Sequence, residues 1–150
     1  MHTIWEDLLE DTSFCLYAIH SNLEDYAMAY HLNLACGLRL RRSAEDVALA
    51  RQTAFPCFQW DDRAHYREWT LFCNQAAGAG ESAADGLFPA EQGQQWHYLV
   101  PEKKTVDYFL KLEGEAADPD ILESLRNIPK VITAYGLEPS ALKSKRNLIL

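Results

Sequence analysis

Four short apolar stretches, at residues 55–60, 66–73, 96–100 and 105–112, stand in two pairs, and the tight turns within each pair limit the folds open to this chain. The first pair flanks Asp61-Asp62-Arg63-Ala64 and the second flanks Pro101-Glu102-Lys103-Lys104. Polar turn residues between two β-prone runs return the chain antiparallel to itself. Pro101 suits the second position of such a turn because its φ is already fixed. A doubly wound parallel sheet would need a crossover helix between successive strands, and the chain does not supply enough of them. The expected sheet is therefore mainly antiparallel.

The remaining elements fit around these hairpins. Phe14-Cys15-Leu16-Tyr17-Ala18-Ile19 is apolar on both alternating faces, as an interior strand is. Asn22 then offers an N-cap, and Leu23, Ala27, Tyr30 and Leu34 fall on one helical stripe that Gly37 is placed to end. Leu38-Arg39-Leu40-Arg41 alternates as a half-buried strand does. Residues 43–54 fit either a short helix or a loop. Asp118-Pro119 opens a second helix, with Ile121, Leu122, Leu125 and Ile128 as its buried stripe and Pro129 as its end. Val131-Ile132-Thr133-Ala134-Tyr135 reads as a last strand. The expected fold class is α+β, a mostly antiparallel sheet with two main helices packed on one face. One domain spans 1–150, with a Gly-rich mobile loop at about 76–95 and a C-terminal tail at about 137–150.

Composition removes several function classes. The 150 residues carry 14 basic and 22 acidic side chains, a net charge of −8, which disfavours nucleic acid as a partner. Cations gather at Arg39, Arg41 and Arg42 and at Lys143, Lys145 and Arg146, too few to form a phosphate-binding patch. No apolar run approaches the length of a membrane helix, and the start has no basic leader, so a cytoplasmic protein is expected. Cys15, Cys36, Cys57 and Cys73 contain no C-x-x-C pair, which disfavours zinc and favours free thiols in a reducing compartment.

No complete catalytic constellation is present. Gly78-Ala79-Gly80-Glu81-Ser82-Ala83 matches a dinucleotide fingerprint in letters only, since Gly86, Pro89 and Gly93 would break the helix that must follow. There is no P-loop, and Gly80-Glu81-Ser82-Ala83-Ala84 lacks the second glycine of a nucleophile elbow. Asp61, Asp62 and His65 would meet at a metal only in a tight turn, and solvated turn carboxylates explain them as well. The acids at Glu113, Glu115, Asp118 and Asp120 lack the spacing of a calcium loop. Catalytic residues, a metal and a cofactor are thus not expected.

The stretch Leu99-Val100-Pro101-Glu102-Lys103-Lys104-Thr105-Val106-Asp107-Tyr108 resembles the signature of the bacterial IPExxxVDY family, with Val100 in place of isoleucine. Asp25-Tyr26 through Asn33 into Gly37-Leu38-Arg39-Leu40, and Thr133-Ala134-Tyr135 with Ser140-Ala141-Leu142-Lys143-Ser144-Lys145, are similar to that family as well. The resemblance implies a small cytoplasmic protein and supplies no catalytic residues. Read physically, a four-residue loop at 101–104 pairs Tyr98 with Asp107 and Trp96 with Phe109. That places Asp107 on an aromatic face, where a carboxylate must find donors. Pro101, Glu102, Lys103, Asp107 and Tyr108 form the candidate binding or structural motif. The leading expectation is a non-catalytic interaction or scaffold module, partnered by another protein or by a second copy through a sheet edge or the apolar C-terminus. The alternative is a small-ligand binder or enzyme using the 101–108 hairpin.

Overall fold

The computed structural model describes residues 14–50, 53–79, 94–114 and 119–149. Ten strands are present among them: β1 (Cys15–Ser21), β2 (Arg41–Arg42), β3 (Val47–Ala50), β4 (Thr53–Phe55), β5 (Cys57–Asp62), β6 (Arg67–Cys73), β7 (Gln75–Ala79), β8 (Gln94–Tyr98), β9 (Tyr108–Gly114) and β10 (Val131–Leu137). Helix α1 (Asp25–Cys36) follows β1, and α2 (Ile121–Arg126) precedes β10. Six strands form one antiparallel sheet in the order β10-β1-β9-β6-β5-β2, while β3-β4 and β7-β8 are separate ribbons.

The sheet is covered on both sides. Leu110 and Leu112 of β9, Trp69 and Leu71 of β6 and Ile19 of β1 face α1 and α2, meeting Met28, Ala29, Leu32, Leu125 and Ile128. On the opposite face Phe109, Phe72, Leu16 and Ala18 meet Phe55, Leu99, Val100, Val106 and, from the C-terminal segment, Leu142 and Leu148. Strand β9 is therefore buried on both alternating faces, which explains its nearly continuous apolar sequence.

Several expectations are corrected. The fold is mainly β with one helix of any length, not an α+β fold with two main helices: α2 has only six residues, beginning at Ile121 and reaching its C-cap at Asn127, just ahead of Pro129. Helix α1 begins after Glu24, whose backbone is extended, so Asn22 is not its N-cap; Gly37 does end it, at φ 67°. Its buried face is Met28, Ala29 and Leu32, whereas Tyr30 and Leu34 point to solvent. Residues 43–54 form neither a helix nor a plain loop: they contribute β3 and the start of β4.

The 96–100 and 105–112 stretches do not pair with each other. Strand β8 pairs with β7, matching Trp96 to Ala77, while β9 lies between β1 and β6, matching Phe109 to Ala18 and Phe72. The first expected hairpin does form, as β5 and β6 joined through Arg63–His65 and Tyr66. Of the expected mobile loop at 76–95, residues 76–79 and 94–95 belong to β7 and β8, and 80–93 lie outside the described residues.

Candidate interaction surface

The 101–108 motif is a connection from the β7–β8 ribbon back into the centre of the sheet. A short 3-10 turn, Pro101–Lys103, begins it, with Pro101 at the first helical position where no N–H is needed. Its shape is held by Asn74, which is fully buried between β6 and β7. The Asn74 amide donates to the carbonyls of Lys103 and Val106, both at 2.8 Å, and its Oδ1 accepts the Val100 N–H at 2.8 Å. Its backbone adds bonds to Asp107 and Leu99. Nothing in the sequence marks Asn74, which stands between the expected 66–73 strand and the expected loop at about 76–95.

The motif's side chains act in two separate places. Asp107 accepts the Ser21 N–H on Oδ2 at 2.8 Å, and the Tyr108 hydroxyl donates to the Leu23 carbonyl, so both fasten the turn between β1 and α1. Glu102 points elsewhere: its two oxygens accept the Ser144 N–H at 2.8 Å and the Ser144 hydroxyl at 2.7 Å, tethering the C-terminal segment. Lys103 serves through its backbone carbonyl. The expected neighbourhood of Asp107 with Tyr98 and Phe109 across a hairpin is not formed, because β8 belongs to the other ribbon.

A cleft of about 560 Å³ opens beside Asp107 and Tyr108, bordered by Ser21, Asp25, Gln75 and Trp96, but Glu102 and Lys103 do not line it. Its groups are poorly suited to covalent chemistry. Burial pushes the Cys73 thiol up to about 12, and burial raises the Tyr108 phenol as well, so neither ionises near neutrality. Among the described residues no three His, Cys, Asp or Glu side chains converge on a metal position.

The surface that stands out adjoins this cleft, along the strand at one edge of the sheet. Among the described strands β10 is the edge next to β1, and its seven residues, Val131-Ile132-Thr133-Ala134-Tyr135-Gly136-Leu137, carry no charge. The opposite edge, β2, has two residues, both exposed arginines. Short, charged edges resist pairing with another chain, whereas long neutral ones invite it. Ile132 is 69 % exposed, and it borders a groove of about 610 Å³ with Val131, Tyr26 and Ala27. Tyr26, Tyr30 and Leu34, each at least 60 % exposed, continue the apolar surface along one side of α1. Two features limit how β10 can pair. The register shift opposite His20 and Ser21 leaves Ile132 as a bulge, and the Arg126 Nε occupies the Ala134 carbonyl at 3.0 Å.

Among the described residues the C-terminal segment presents no comparable apolar surface, since Leu142 and Leu148 are buried in this chain's own core and the buried Lys111 ammonium holds the Leu148 carbonyl at 2.7 Å. No helix among the described residues is long and apolar enough to cross a membrane. Comparison with protein-family models, curated proteins and solved structures gives no match to this chain.

Proposed function

We propose that this chain is a non-catalytic interaction module that pairs with a second copy of itself along β10. The observation that carries this reading is the contrast between the two sheet edges: seven neutral residues, exposed Ile132 among them and exposed Tyr26 nearby, at one end, two arginines at the other. A second copy is the favoured occupant because an edge strand without charge is where two copies of net charge −8 meet with little repulsion. An antiparallel edge is also self-complementary about a two-fold axis, so one surface serves both copies and the assembly closes. The resemblance to the IPExxxVDY family and a cytoplasmic location belong to the same proposal; the four free thiols support a reducing compartment. Neither nucleic acid nor a membrane is included as a partner, given the acidic balance. A ligand-binding or enzymatic role for 101–108 has less support, since Asp107 and Tyr108 hold backbone groups and Glu102 holds Ser144.

Sedimentation equilibrium over a wide concentration range tests this. Wild type is expected to reach a dimer, and Ile132→Lys, which places a charge on the edge, is expected to remain monomeric with an unchanged circular dichroism spectrum. Arg126→Ala, which frees the Ala134 carbonyl, should tighten the dimer. A wild-type monomer at the highest concentration, or a dimer indifferent to both substitutions, overturns the proposal.

A further inference from the structure

The cleft of about 560 Å³ beside Asp107 and Tyr108 has a lining of one charge sign. It lies where the turn from β1 into α1, the entry to β9 and the β7–β8 ribbon meet. Glu24, Asp25 and Asp107 border it, and none of its described lining residues is Lys, Arg or His. Asp25 and Asp107 are half-buried, so their charge is screened less than it would be on an open face. Burial is the main cause of the raised Tyr108 phenol, but Asp25, Asp107 and Glu24 each add to it, so their fields meet inside the cleft. The start of α1 opposes them with about half a positive charge, which three carboxylates outweigh. Asp107 accepts the Ser21 N–H and Asp25 the Tyr26 N–H, each on one oxygen. A carboxylate has about four acceptor positions, so these bonds leave room for a ligand's donor.

A second feature is independent of the charge. Trp96 borders the cleft at 54 % exposure, the one exposed side chain among the described tryptophans. Together with Pro56 and the Cys73 thiol, which is un-ionised near neutrality, it gives the cleft an apolar wall. An indole face attracts flat rings and cations alike. The volume lies within the range of small-molecule sites, and the carboxylates do not converge on a metal position.

We propose that this cleft binds a small arylalkylammonium ion, its ring against Trp96 and Pro56 and its ammonium donating to Asp25, with Asp107 and Glu24 adding negative charge. The apolar wall favours a cation that carries a ring over a bare alkylammonium. The carboxylates, with no cation among the described lining, favour a cation over a neutral ring. Asp107 keeps its bond to Ser21, so the fastening of the fold and the binding site coexist. Binding, and not turnover, is the role, since the phenol and the thiol at the site stay protonated near neutrality.

Isothermal titration calorimetry with phenethylammonium chloride at neutral pH tests this. The controls are 2-phenylethanol, uncharged and of the same shape, and ethylammonium, which has no ring. Phenethylammonium is expected to bind saturably at one site per chain, and each control about tenfold more weakly. Asp25→Asn, which keeps an acceptor for the Tyr26 N–H, should weaken binding about tenfold, the effect of one charged hydrogen bond. Trp96→Ala, at an exposed position, should weaken it about fivefold. Asp61→Asn removes the same charge from the end of β5, outside the cleft, and should leave binding unchanged. Circular dichroism checks that each variant is folded; should Asp25→Asn fold poorly, Trp96→Ala and the two control ligands decide the matter. No saturable binding of phenethylammonium, or a control ligand that binds equally well, overturns the proposal. So does binding that neither cleft substitution weakens, or a loss in Asp61→Asn as large as that in Asp25→Asn, which would mark a diffuse attraction to an acidic surface.

Discussion

Asn74 fixes the connection between the two parts of the molecule through one side chain. All three of its side-chain bonds go to backbone groups of 100–106, and the site is fully buried. Asn74→Ala is expected to leave the Val100 N–H and the Val106 carbonyl without these partners. At roughly 1–3 kcal/mol for each buried group left unsatisfied, the loss should be about 3 kcal/mol, read as a lower urea midpoint with an unchanged slope. Asn74→Asp should not rescue it, because a carboxylate would face two carbonyls. Gly114 is a second single-residue constraint: at φ 105° a Cβ would stand 2.1 Å from the Tyr66 carbonyl oxygen. Gly114→Ala should therefore cost more than about 1 kcal/mol, the backbone preference and the clash acting together. Neither residue's role was legible in the sequence, since both depend on chain segments that meet only after folding. Asp107 was legible in part. A carboxylate in that apolar setting had to find donors, and it found the Ser21 N–H, though on a neighbour the local pattern did not point to.

At the scale of elements, legibility followed sequence separation. The β5–β6 hairpin was readable because its turn lies between its own strands. The 96–112 pair was misread because Asn74 diverts the chain into β7, giving β8 a closer partner and leaving β9 to β1 and β6. Helix α1 is apolar around most of its circumference, so the stripe through Tyr30 and Leu34 was as regular as the one that is buried. The C-terminal segment is an element held by polar contacts as well as by Leu142 and Leu148: Glu102 to Ser144, and the Asn147 amide to the Leu99 carbonyl at 2.7 Å. Partial burial alone would raise the Glu102 carboxyl, but the Ser144 hydroxyl and nearby backbone N–H groups outweigh it and hold the group below the ordinary carboxylate range. A carboxyl with a folded pKa below its unfolded one contributes stability above the unfolded value, near about 4.3, and loses it as pH falls through the folded value. Amide protection at residues 142–148 should therefore drop over that acidic window ahead of the sheet. In Glu102→Gln the segment should be looser at neutral pH and the acid step should flatten.

For the whole molecule, charge and shape act against each other. Two copies of net charge −8 repel at long range, while the β10 contact proposed between them contains no charged residue in the strand itself. Screening should then act on the repulsion and hardly on the contact. The Debye length falls from about 10 Å at 0.1 M salt to about 3 Å at 1 M, and apolar contacts such as those of Ile132 and Tyr26 are not weakened by sodium chloride in that range. The dimer is expected to tighten severalfold between these two concentrations, measured by sedimentation equilibrium at fixed pH. An interface built on ion pairs gives the opposite slope, because screening removes the attraction first. The sign of the salt dependence therefore separates edge pairing at β10 from association through the arginines at β2 and the acidic remainder of the surface. The Ile132→Lys variant sharpens the distinction, since it should remain monomeric at 0.1 M and recover only part of the association at 1 M.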